Sequence, residues 1–207
     1  MDCLWPFPAA IVKMAAMFKL PNLLTFSRIG VIPLLVAAFY LADPLGNIVA
    51  CALFALAAVT DYLDGYLARA WSQQSNLGRF LDPVADKLMV AAAILMMVAF
   101  AMISGWSILA ALVILCREIL VSGLREFLAE LRVGLPVSKL AKWKTAIQMI
   151  AITLLLLGDA GPHWLPIVTL GDIALWIAAA LTLITGYDYL RAGLRHMRED
   201  GSPGPAE

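Results

Sequence analysis

The sequence predicts an all-α, polytopic membrane protein with about six transmembrane helices and a short N-terminal amphipathic interfacial helix. Three observations carry the prediction. Of the 207 residues, 62% are hydrophobic and 14% charged, with a mean hydropathy of +0.87, whereas a soluble domain is roughly a quarter charged. The apolar residues gather into runs of about 20, the length that crosses a bilayer as a helix. The lysines and arginines that lie outside those runs fall only in the two ends and in alternate connections.

The elements follow in order. MDCLWPFPAAIVKMAAMFKL has an acid at position 2, and Lys13 and Lys19 come after its apolar stretch, the reverse of a secretory leader. PAAIVKMAAMFKLP reads as a helix lying in the membrane interface, which makes residues 1–20 an N-terminal interfacial segment; a disordered leader is the alternative for the first eight residues. The runs then cover roughly 23–41, 46–68, 84–103, 106–130, 140–157 and 166–190. Turn-rich breaks separate them: ADPLGN, SQQSNLGRF, MISGW, LRVGLPVS and GDAGPHWLP. EDGSPGPAE, residues 199–207, reads as a disordered polar tail. No internal repeat interrupts the chain, and 1–207 reads as one membrane domain. Cys3, Cys51 and Cys116 lack paired spacing and read as small core residues.

With six spans, the N-terminus, the connections 69–83 and 131–139 and the C-terminus share one side. Every positive charge of the loops and tails lies there. The connections 42–45, 103–105 and 158–165 contain no Lys or Arg, only Asp43 and Asp159. The positive-inside rule then places both termini in the cytoplasm, in an inner (cytoplasmic) membrane.

The chemistry is concentrated in DYLDGYLARAWSQQSNLGRFLDPVAD, residues 61–86. Asp61 and Asp64 lie near the inner end of the second span, and Asp82 and Asp86 begin the third. Spacings of three and four put each pair on one helix face. Four bare carboxylates would repel and take up protons. Pairing with Arg69, Arg79 and Lys87 is the plain alternative, but ionisable groups inside a membrane mark function by default. Hard oxygen donors on facing helices suit Mg²⁺ or Mn²⁺, and a pair of such ions is typical of phosphoryl transfer. Gly65 and Ala68 follow on nearly the same face. A helical glycine costs about 1 kcal/mol against alanine, which is explained if a ligand approaches the backbone. Gly78 opens the way to Asp82, and Arg69 lies on the stripe of Asp61, placed to hold a phosphate.

The pattern Asp61-x-x-Asp64-Gly65-x-x-Ala68-Arg69, then Gly78, Asp82 and Asp86, resembles the full motif of the CDP-alcohol phosphotransferase family at every spacing. The six-span plan is similar to that family as well. PNLLTFSR resembles its N-terminal segment, which would bring Asn22, Thr25 and Arg28 near the nucleotide. The resemblance implies transfer of a phosphatidyl-type group from a CDP-linked donor, such as CDP-diacylglycerol, to an alcohol, with release of CMP. It implies two divalent ions held by Asp61, Asp64 and Asp82, with Asp86 sharing the site and acting as base. Gly65, Ala68, Arg69 and Gly78 would then line the donor site. It also implies a homodimer among membrane lipids, and no nucleic acid as partner.

A second cluster is basic. Span four holds CREILVSGLREFLAELR and the next segment VSKLAKWKTAIQ. Arg117 sits within an apolar span, where its desolvation needs a partner. Glu118 is adjacent but points about 100° away round the helix. Arg125 shares the stripe of Arg117, and Lys139 and Lys142 are three apart. Interfacial anchoring by Lys139, Lys142, Lys144, Arg125 and Arg132 is the alternative. A basic pocket suits an anionic acceptor, and glycerol 3-phosphate fits it better than serine, choline or ethanolamine. RE followed by LRE, then K-x-K-T-x-x-Q, resembles the branch of the family whose acceptor is glycerol 3-phosphate, with Ala141 standing where that branch has glycine. Arg117, Arg125, Lys139 and Lys142 are the expected acceptor-phosphate ligands. The competing readings are the same chemistry with inositol phosphate or serine, and a cation transporter; a transporter would spread its acids through the bilayer depth instead of gathering them on one side. His163 and His196 have no ligand-like neighbours, and Trp5, Trp106, Trp143 and Trp164 fall where an aromatic belt is expected.

Overall fold

The computed structural model describes residues 20–71, 76–130 and 139–200; within them the side chains of 20–26, 28, 61–71, 76–83, 129, 130, 139, 192 and 194–200 fall outside the description. The interfacial helix expected before residue 20 and the end of the tail also lie outside it. The described chain is all-α: α1 Leu20–Ala38, α2 Leu45–Trp71, α3 Asn76–Ala99, α4 Ser107–Glu130, α5 Lys139–Leu157 and α6 Ile167–Asp200, with a 3₁₀ turn at Gly158–Ala160. Each helix falls on one of the apolar runs.

Two boundaries differ most from expectation. α3 starts at Asn76, so Asn76–Phe80 of the expected loop are helical and only residues 72–75 separate its start from the end of α2. Hydropathy sees only the apolar part of a helix, whereas Asn is at home at a helix start and Arg and Leu are good helix formers. α6 continues to Asp200, carrying Arg191, Arg195 and Arg198 on its last turns. The stretch LRAGLRHMRED is built largely of helix formers, and the next glycine that could stop it is Gly201.

Among the described residues, three helices are long and apolar enough to cross a membrane: Ser107–Leu128, Leu140–Ala160 and Ile167–Arg191; Ile29–Ala38 and Leu45–Thr60 are shorter apolar stretches. Their packing is inverted relative to a soluble bundle. Leu109, Leu112, Ile119, Ile150, Leu183 and Ile184 are exposed, while Lys144, Gln148, Thr182 and Thr185 are buried. Water would penalise such apolar faces heavily, and lipid does not. Trp106 and Trp164, each about four-fifths exposed, sit at helix ends, where amphipathic rings meet the headgroups. The chain is therefore a polytopic membrane protein.

It divides into two compact units, residues 1–93 and 94–207. In the first, α1 packs on α2 through buried Leu35, Ala38, Phe39, Ala50 and Phe54. In the second, α6 packs against both α4 and α5. Gly171 lets α6 approach α5 closely, since a Cβ there would lie 2.9 Å from Leu155 Cγ and 3.2 Å from its backbone nitrogen. Small residues serve this purpose between membrane helices, where close van der Waals packing drives association.

Candidate active site

The carboxylate motif lies on regular helix. α2 carries Asp61, Asp64, Gly65, Ala68 and Arg69 and runs unbroken past them to Trp71, and α3 begins ahead of Gly78, Asp82 and Asp86. Each pair is therefore at helical spacing on one continuous helix, and all four aspartates belong to the first unit. Asn22, Thr25 and Arg28 lie on α1 of that unit. The side chains of these three, of Asp61, Asp64 and Asp82, and of Arg69 are outside the description. Asp86 is described and half-buried, between fully buried Ala85 and Met89. The donor set itself suits a divalent cation: four carboxylates, all hard oxygen donors, at helical spacing, with no sulfur or imidazole among them.

The basic cluster is built within the second unit by three helices. Arg117 on α4 donates from Nη2 to Thr185 Oγ1 of α6 at 3.0 Å. The Thr185 hydroxyl is oriented to receive this bond because it donates in turn to the Leu181 carbonyl at 2.8 Å. Contrary to the expectation that Glu118 points away, its Oε1 lies 3.6 Å from Arg117 Nη1. Long side chains close an angle that the helical wheel assigns to their Cβ atoms. Glu118 also pairs with Lys144 of α5. Lys144 is 3% exposed, so it is an internal residue of the cluster and not an interfacial anchor. Lys142 is exposed, and the Lys139 side chain is outside the description. Arg125 is exposed, yet it reaches the ring of Tyr189, as Arg117 does. Gly186 makes room for Arg117: a Cβ there would sit 3.0 Å from Arg117 Cγ and 3.5 Å from Nε.

Sequence reasoning missed Lys144, Gln148, Thr182, Thr185 and Tyr189 as members of one buried polar face. The signal was present. Lys144 and Gln148 are spaced i, i+4 on α5, and Thr182, Thr185, Gly186 and Tyr189 follow i, i+3, i+4, i+7 on α6. A polar stripe inside an apolar span faces protein, not lipid.

Fold and motif together define an integral membrane enzyme with a carboxylate quartet on successive helices. The sequence matches the CDP-alcohol phosphatidyltransferase family over residues 18–184. A protein of Rickettsia bellii is 47% identical over 174 residues, covering 84% of this chain and 94% of its own length. One from Pseudomonas fluorescens is 45% identical over 189 residues, covering 88% and 94%. One from Cereibacter sphaeroides is 39% identical over 218 residues, covering 88% and 99%. All three are named CDP-diacylglycerol--glycerol-3-phosphate 3-phosphatidyltransferase. The chain belongs to the CDP-alcohol phosphatidyltransferase family and is a phosphatidyltransferase, of a family that works with divalent metal.

Proposed function

We propose that the protein transfers the phosphatidyl group of CDP-diacylglycerol to sn-glycerol 3-phosphate, giving phosphatidylglycerol phosphate and CMP. The aspartate motif from Asp61 to Asp86, within a family match that spans most of the chain, is the observation that carries this reading. The names of the relatives and the basic cluster support the choice of acceptor.

Asp61, Asp64, Asp82 and Asp86 would hold two ions of Mg²⁺ or Mn²⁺. When bound, these supply neutralisation of the donor's pyrophosphate and polarisation of the phosphorus under attack. Asn22, Thr25, Arg28 and Arg69 bind the nucleotide end of the donor, and Gly65, Ala68 and Gly78 keep its path clear. The acceptor hydroxyl oxygen forms a bond to the lipid-side phosphorus. The pyrophosphate link breaks, CMP leaves with the electron pair, and the hydroxyl proton passes to a carboxylate oxygen of Asp86. Arg117, Arg125, Lys139 and Lys142 bind the acceptor's phosphate, and Lys144 adds its charge to theirs. The enzyme works as a homodimer in the inner membrane, with both termini and the reaction on the cytoplasmic side.

The test is CMP release from CDP-diacylglycerol by the purified chain with Mn²⁺ or Mg²⁺ and one alcohol at a time. Release is expected with glycerol 3-phosphate and not with serine or inositol phosphate. Release with serine alone would overturn the choice of acceptor, and metal-dependent cation flux without CMP release would favour transport. Gly186→Ala gives a second expectation. The added methyl group pushes Arg117 by a few tenths of an ångström, so KM for glycerol 3-phosphate should rise several-fold, with KM for the donor and the Tm nearly unchanged.

A further inference from the structure

Two arginines of α4 converge on one ring of α6. Arg117 Cζ lies 5.7 Å and Arg125 Cζ 5.3 Å from the centroid of Tyr189, which is 6% exposed. The two arginines are about two helical turns apart, roughly 12 Å along the axis, so backbone geometry alone does not bring their guanidinium groups together. The negative face of an aromatic ring attracts each cation, while the two cations repel each other. Among the described residues, the cluster with Lys144 gathers three positive side chains against the carboxylate of Glu118, a formal balance of +2 (3 − 1). Four buried side-chain atoms of the described residues have no protein partner: Arg117 Nε, Tyr189 Oη, Thr182 Oγ1 and Gln148 Oε1. The first three can donate, the two hydroxyls can also accept, and the Gln148 oxygen only accepts; a buried donor without an acceptor is costly. Unfilled donors beside a double positive charge complement a dianionic oxyanion. Tyr189 lies beyond residue 184, where the family match ends.

We propose that Tyr189 is the positioning residue of the anion-binding cluster: its ring holds Arg117 and Arg125 within reach of one phosphate, and its hydroxyl donates to that phosphate. This rests on the reading that the acceptor carries a phosphate. The two halves of the role separate by substitution. Tyr189→Phe keeps the ring and removes only the donor. Tyr189→Leu keeps an apolar side chain and removes the surface on which the arginines rest.

The experiment uses the full chain in detergent with two readouts, steady-state CMP release and the shift in Tm produced by inorganic phosphate. KM for glycerol 3-phosphate should rise about 10- to 100-fold in Tyr189→Phe, the scale of one hydrogen bond to a charged group, and further in Tyr189→Leu. In both variants kcat and KM for CDP-diacylglycerol should stay within about twofold. Phosphate should raise the Tm of the wild-type chain, raise it less in Tyr189→Phe and least in Tyr189→Leu. A wild-type Tm that phosphate does not move overturns the proposal. So does a Tyr189→Phe variant identical to wild type, or a Tyr189→Leu variant that loses kcat and affinity for both substrates alike, as a purely structural residue would. A wild-type chain that phosphate stabilises, but that releases CMP only with an uncharged alcohol, overturns the choice of acceptor; graded phosphate shifts in the variants would then still support Tyr189 as organiser of the anion site.

Discussion

Asp64→Asn and Asp82→Asn are each expected to reduce CMP release by at least about 10²-fold while leaving the chain folded. The effect is electrostatic. Asparagine keeps the size of aspartate and one oxygen, but loses the negative charge that makes the group a ligand for a hard divalent cation. The same substitution relieves repulsion among carboxylates on α2 and α3, so the metal-free variants should melt no lower than the wild-type chain. Thermal denaturation with and without Mn²⁺ separates these effects. Mn²⁺ should raise the Tm of the wild-type protein by mass action, and that rise should shrink or vanish in both variants. Asp86→Asn provides the contrast. If Asp86 takes the acceptor's proton, its variant should keep donor affinity better than rate. Equal loss of both would assign Asp86 to the ligand set alone. A metal-free Tm that collapses in Asp64→Asn or Asp82→Asn would mean that these carboxylates hold the fold, and would remove them from the chemistry.

The helices and the carboxylate motif were legible for physical reasons. A membrane helix announces itself by an apolar run of fixed length, and all six runs became helices. Four carboxylates at helical spacing in or beside such runs are costly and mark a candidate site. What stayed hidden follows from the limits of the same signals. The start of α3 at Asn76 is polar, so hydropathy placed it too late. Lys144 and Lys142 look alike in sequence, and only the packing of α5 shows that Lys144 is buried while Lys142 is exposed. Thr182, Thr185 and Tyr189 are ordinary residues of a membrane helix until α4 supplies Arg117 opposite them. A helical wheel gives the direction of each Cβ, but not the reach of Glu118, which bends back to Arg117.

Arg117→Ala is expected to raise KM for glycerol 3-phosphate by about 10- to 100-fold, the worth of a charge-assisted contact, with a much smaller effect on KM for CDP-diacylglycerol. The split follows from the surroundings of the side chain. Removing one partner of a buried ion pair normally strands the other and destabilises the protein by about 3–5 kcal/mol. Here Glu118 keeps Lys144, so its carboxylate is not left alone, and the fold should survive. Thr185 loses its donor but still bonds the Leu181 carbonyl. Arg117→Lys sharpens the result. It restores the charge without the planar fork that reaches Glu118 and Thr185 at once. It should therefore recover only part of the lost acceptor affinity. Lys144→Met is the complementary case. It returns the whole of Glu118 to Arg117, lowers the positive balance of the cluster by one, and should weaken the acceptor while leaving the donor untouched. An unchanged acceptor KM in Arg117→Ala, with folding intact, would show that the basic face of the second unit is structural and that the acceptor's phosphate is bound elsewhere.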